Sequence, residues 1–286
     1  MSFVPSQLAL LAYACYTVNK MELSNLEYIG FTLSVGIYTG GVGITVSHEL
    51  VHKNTRVEQW AGRLVCVAMG YGHFYVEHTR GHHKMVGTDN DPATARFGES
   101  FYSFLPRCIV GSFCNAWRLE VDRCREMDLT FWHNEMLWYW TASSFLCGGL
   151  VAAFGRWSVP LFLGQSAMGV LLFESVNYLE HYGLERRRLE DGRYEQVGYE
   201  HSWDSPHRLT NMVLFKLQRH ADHHVNSTKR YQTLRAELCS PQLPMGYPTC
   251  VLLALCPPLW RTVIDPRVLA IRSKHEGRVW RHGPEG

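Results

Sequence analysis

Residues 28–52 read YIGFTLSVGIYTGGVGITVSHELVH, an uncharged run that ends directly on a histidine pair. A helix needs roughly 17–25 apolar residues to cross a bilayer, and the run 28–47 has that length. His48 and His52 stand at i and i+4. A helix continuing through them carries both rings on one face, where they can share a metal ion.

Three more uncharged runs lie at 2–19, 136–155 and 157–173. The first pair is joined by a short polar link at 20–27 and the second pair meets at Arg156, so each pair reads as a helical hairpin entering and leaving on one side. Every Lys and Arg except Lys20 and Arg156 then falls on the common side, which the positive-inside rule assigns to the cytoplasm. Buried core helices are the other reading of the same runs. The fold expected is all-α and integral to the membrane: helical hairpins carrying a cytoplasmic-side, histidine-rich metal domain. It is expected as one domain over 1–271, followed by a polar tail at 272–286. A shorter run at 64–76 is expected to be half-sunk or packed on the others, and the proline-broken 248–260 to be interfacial.

Fifteen histidines are present, and nine fall into four tight clusters. Besides H-E-L-V-H, they are His78, His82 and His83 in E-H-T-R-G-H-H, His181 in N-Y-L-E-H-Y-G-L, and His220, His223 and His224 in Q-R-H-A-D-H-H. H-E-x-x-H alone suggests a zinc protease, but that leaves the other seven without a role. The count argues for two metal ions, while imidazole suits iron, zinc, copper or nickel. Two clusters follow directly on apolar runs, at a depth where polar residues are costly and usually functional. A lipid-dissolved substrate could reach them without crossing water. His73, His133, His201, His207, His275 and His282 lack ligand spacing to one another and read as structural or solvent-exposed.

Composition narrows the partners. A formal net charge of +2 over 286 residues gives no reason to expect nucleic acid. Nine scattered cysteines with no C-x-x-C pair read as reduced thiols. They exclude a fused four-cysteine iron centre, so any electron donor is a separate protein. No cleavable leader is expected at the N-terminus.

Together the histidine boxes resemble those of the integral-membrane alkane 1-monooxygenases, and the likeness extends to L-E-D-G-R-Y-E, H-S-W-D-S, R-Y-Q-T-L-R, P-Q-L-P-M-G-Y-P and P-P-L-W, and to 89–102, DNDPATARFGESFY. It covers about 48–268. The resemblance implies a diiron centre held by His48, His52, His78, His82, His83, His181, His220, His223 and His224. It also implies terminal hydroxylation of medium- or long-chain alkanes with O2 as co-substrate, and electrons from NAD(P)H through a reductase and a rubredoxin. A multi-pass protein of the bacterial inner-membrane type, with its site facing the cytoplasm, follows from the same likeness. Glu49, Glu77, Glu180 and Asp222 could orient ring N–H groups or make ordinary salt bridges. Arg186, Arg187 and Arg188 could dock an acidic rubredoxin or form a lipid-facing collar. Tyr38, Trp138, Tyr139, Trp140 and Phe145 line a channel or face lipid.

Two departures stand out. Only 47 residues precede His48, fewer than the family carries, so membrane helices that help line the substrate channel are expected to be missing. Asp204 stands in H-S-W-D-S where the family leads one to expect asparagine. The rivals are a xylene-type methyl monooxygenase, a fatty-acid desaturase or hydroxylase, a non-enzymatic metal-binding membrane protein, and an inactive truncated paralogue.

Overall fold

Ser24 opens the decisive helix. Its hydroxyl accepts the Glu27 N–H (3.3 Å) while the Glu27 carboxylate accepts the Ser24 N–H (2.9 Å), a capping box that satisfies two orphan donors. The computed structural model describes residues 2–237 and 239–274, and no β-strand occurs among the described residues. Helix follows helix, with two isolated bridges, Arg188–Tyr194 and Asp204–Gln242. The chain divides into two compact units, Met1–Thr79 with Cys114–Phe173, and Arg80–Phe113 with Glu174–Gly286.

In the first unit, α1 (Phe3–Lys20) is followed by α2 (Asn25–Tyr38), a π-helical turn (Thr39–Gly43) and α3 (Ile44–Val51). Then come α4 (Arg56–Ala68) and a short α5 (Phe74–Val76), with α8 (Glu135–Phe154) later in the chain. Leu11, Cys15 and Val18 of α1 are buried with Val35, Leu150, Leu161 and Phe162. Among the described residues three helices are long and apolar enough to cross a membrane: Asn25–Val51, Glu135–Phe154 and Ser158–His181 (α9). The expected span at 2–19 is a helix, but it is not among those three. Gln7, Asn19 and Lys20 lower its apolar character. Large apolar side chains on the outer faces stay exposed, Phe145 at 82% and Leu163 at 61%, as lipid-facing surface requires.

Glycines and polar groups join these helices. A Cβ on Gly40 would lie 2.6 Å from the Gly169 Cα, so the two backbones approach as only small residues allow. Beside them Thr39 donates to the Gln165 side chain (2.8 Å), which donates to the Ala68 carbonyl (3.0 Å). The 64–76 run is largely buried, turning at Gly70 with φ +64°.

The second unit holds α6 (His83–Met85), α10 (Arg208–Val213), α11 (His220–Val225), α12 (Tyr247–Ala254) and α13 (Pro257–Ser273). α7 spans Phe101–Glu126 and α9 spans Ser158–His181. α9 outruns its expected end at 173 because the polar residues beyond it are buried and bonded. Cys108 Sγ and Asn177 Nδ2 both donate to Glu174 Oε2, at 2.9 and 3.0 Å. Arg272, the first residue of the expected tail, lies within α13 and donates to Glu185 (3.1 Å) and to the Gly183 carbonyl (3.1 Å). Residues 275–286 of that tail, with His275 and His282, lie outside the described residues.

Candidate metal centre

In the first unit the α2–α3 helix delivers His48 and, at its C-cap, His52. His78 reaches them from a π-helical segment, Glu77–His82. Ring centroids are 4.7 Å apart for His48–His78, 5.0 Å for His52–His78 and 5.4 Å for His48–His52. All three are buried, and Phe74 stacks on His78 at 4.6 Å. Glu49 binds Lys53 (3.0 Å), and Glu77 accepts from Asn115 (3.4 Å).

In the second unit His82, His181, His220 and His224 bring one ring nitrogen each within 4.8 Å of the others, all buried. The His220 and His181 Nε2 atoms are 3.1 Å apart, and those of His224 and His220 are 2.9 Å apart. His83 and His223 approach Nε2 to Nε2 at 3.2 Å. His78 and His82, four residues apart in the segment 77–82, each join a different group. Two nitrogens each ~2.1 Å from one metal ion and at right angles across it stand ~3.0 Å apart, so the imidazole set fits a bound transition metal.

The outward nitrogens support the same fit. His82 Nδ1 meets Asp91 Oδ2 at 2.9 Å, His220 Nδ1 lies 3.2 Å from Glu180 Oε1, and His181 Nδ1 lies 3.4 Å from the His201 carbonyl. Acceptors at Nδ1 of His82 and His181 hold the proton there and leave Nε2 with its lone pair facing inward, while Glu180 lies beside His220 without a hydrogen bond to it. Burial, reinforced by the surrounding imidazoles, lowers the His224 pKa well below the usual histidine range, so the ring is neutral and able to ligate. For Asp91, burial works upward, but His82 and the Thr94 hydroxyl (2.6 Å) outweigh it and hold the carboxyl below its ordinary value.

Of the four carboxylates singled out in the sequence, Glu180 meets a ring. Asp222 instead accepts from Lys229 (2.6 Å) and from the Arg235 N–H (2.8 Å), tying α11 to the loop after it. Asp91 escaped notice. Its cue was local: in D-P-A-T its Oδ1 accepts the Ala93 N–H (3.0 Å), an Asx turn that turns the other oxygen toward His82. His201, expected to be structural, is buried and accepts the Gly198 N–H at 2.8 Å.

Residues 25–253 match the fatty acid desaturase family. The chain is 51% identical over 250 residues to alkane 1-monooxygenase 2 of Pseudomonas aeruginosa, covering 87% of this chain and 66% of that protein. It is 49% identical over 253 residues to alkane 1-monooxygenase 1 of the same organism, covering 88% and 66%. With alkane 1-monooxygenase 2 of Alcanivorax borkumensis it shares 42% identity over 279 residues, 96% of this chain and 73% of the relative. The chain thus spans just under two thirds of the length of the two Pseudomonas relatives. On these matches and its histidine-rich, membrane-crossing helices, the chain belongs to the fatty acid desaturase family and, within it, to the alkane 1-monooxygenases.

Proposed function

We propose that this chain hydroxylates the terminal C–H of medium- or long-chain alkanes, giving 1-alkanols. In this reading one oxygen atom of O2 goes to carbon and the other leaves as water, with two electrons and two protons taken up. Kinship supports the reaction class. The observation that carries it is the convergence of buried Nε2 atoms at His181, His220 and His224, with His82 beside them.

His48, His52, His78, His82, His83, His181, His220, His223 and His224 are the proposed ligands of two non-haem iron ions. Bound iron would supply O2 activation, which a C–H bond with no acidic proton and no leaving group demands. The protein's part is to present neutral imidazoles, fix their orientation and exclude bulk water. Asp91 does the orienting at His82 Nδ1, and burial does the rest. Glu49 and Glu77, one residue from His48 and His78, are proposed to stiffen the other boxes.

The electrons are proposed to come from a separate rubredoxin and its NAD(P)H-dependent reductase. Lys and Arg crowding on one side of the apolar runs supports a multi-pass protein with its site facing the cytoplasm, working as one membrane-embedded domain over 1–271. The test is turnover: purified chain in detergent with iron, octane, rubredoxin, reductase and NADH is expected to form 1-octanol. NADH-independent background alone would reject the reading.

A further inference from the structure

His181 closes α9, and two residues later the chain turns at Gly183 with φ +71°. No further helical turn holds the ring in place, so the acceptor on its Nδ1 matters. That acceptor is the His201 carbonyl, 3.4 Å away, on a segment that runs back past the end of α9. Trp203, fully buried, fastens that segment on both sides of His181. Its main-chain N–H donates to the Glu180 carbonyl (2.8 Å) and its indole N–H to the Tyr182 carbonyl (2.9 Å).

The His201 ring is pinned as well. Its Nδ1 accepts the Gly198 N–H (2.8 Å), so the ring carries its proton on Nε2, which faces Glu195 Oε1 at 3.3 Å. Glu195 belongs to a hairpin over 186–195 that is marked by the Arg188–Tyr194 bridge. Its Oε1 also accepts the Arg187 N–H (2.7 Å), and its main-chain carbonyl accepts from Arg186 Nε (2.6 Å). Arg186 Nη1 in turn donates to the Lys84 carbonyl (2.8 Å), directly beyond His83. The hairpin tip is open to water, with the Arg193 side chain 82% exposed, whereas His201 at the inner end is buried.

We propose that Glu195 and His201 are positioning residues for the metal centre. Together they hold the His201 carbonyl on His181 Nδ1, and so keep His181 Nε2 aimed at an ion shared with His82, His220 and His224. The proposal rests on the hydroxylase reading for the presence of iron there. The link is mechanical: Glu195 reaches His181 through the His201 ring and backbone, moving no proton and adding no donor to the ion. Breaking it at either residue therefore frees the same ring.

The test is metal retention by the full chain in detergent, read by competition with a chelator, with iron and in parallel with zinc. Glu195→Ala and His201→Ala are each expected to lower affinity ~10–100-fold. The double variant should lose no more than the larger single loss, because both residues act through one link. Glu195→Gln keeps an oxygen that can accept from His201 Nε2 and should recover most of the loss. Asp191→Ala, whose bonds go to Arg193 at the exposed tip, should bind as wild type does. With iron-57, the alanine variants should shift the Mössbauer doublet of one iron and leave the other, a selectivity that a general loss of packing does not give. Should either alanine variant fail to fold, Trp203→Phe, which loses the donor to Tyr182 but keeps an aromatic ring, should weaken retention in the same sense. Wild-type affinity in these variants overturns the proposal, and so do additive losses in the double variant or equal changes at both irons. Losses seen with zinc while iron is not retained would instead overturn the iron reading and leave the positioning standing. Wild-type protein that retains neither metal overturns both.

Discussion

Replacing Asp204 by asparagine should stabilise this protein at neutral and alkaline pH. Asp204 is fully buried, its Oδ1 accepting the Ala221 N–H (2.8 Å) and its Oδ2 accepting from Ser240 Oγ (2.9 Å). Both bonds survive in an amide: the Asn carbonyl keeps Ala221, and its NH2 can donate to Ser240, whose hydroxyl still donates to the Glu237 carbonyl. Burial raises the carboxyl from 3.8 to about 6 against those two bonds. At ~1.4 kcal/mol per pH unit, the charged form costs about 3 kcal/mol. Because the folded value is the higher one, that stability is fully present below about pH 4 and is lost as pH rises through about 6. Asp204→Asn, neutral throughout, should therefore gain about 3 kcal/mol over wild type at pH 8, roughly half of that near pH 5, and little near pH 4. For a chain of this size the gain at pH 8 corresponds to ~6–12 °C in Tm. Thermal unfolding of metal-free protein in detergent at pH 8, 6 and 4 measures it. A variant no more stable than wild type at pH 8, or a gain that does not shrink on acidification, would refute the reasoning.

Other substitutions separate groups that touch the rings from groups that do not. Asp91→Asn removes the acceptor on His82 Nδ1 and should lower iron affinity ~10–100-fold, read by competition with a chelator. Asp222→Asn, whose partners are Lys229, Asn226 and the Arg235 N–H, should change it far less. Gly40→Ala drives a methyl to 2.6 Å from Gly169 and should cost ~1–3 kcal/mol in thermal unfolding. Gly41→Ala, with open space around it, should be close to neutral.

The apolar runs at 28–47, 136–155 and 157–173 found the membrane-crossing helices because uncharged length is a composition property. Two things exceeded composition. α9 continues to His181 because Glu174, Asn177 and Glu180 are paired inside the fold, and a reading by charge stops at the first of them. The π-helical turns at 39–43 and 77–82 leave no mark in residue spacing, and the box of His78, His82 and His83 gives no sign that His78 and His82 divide between two groups. The nine clustered histidines were legible through their density. Asp91 was not, because a carboxylate nine residues from His82 becomes its partner only after the loop closes.

The central claim is that clustered neutral imidazoles hold two iron ions. Its most direct measurement is iron per chain, with Mössbauer spectra of iron-57-labelled protein, for wild type and for His181→Ala/His224→Ala. Two irons per wild-type chain, falling to one or none in the double variant, are expected. One zinc in place of iron, or two irons retained after both histidines are removed, would contradict it.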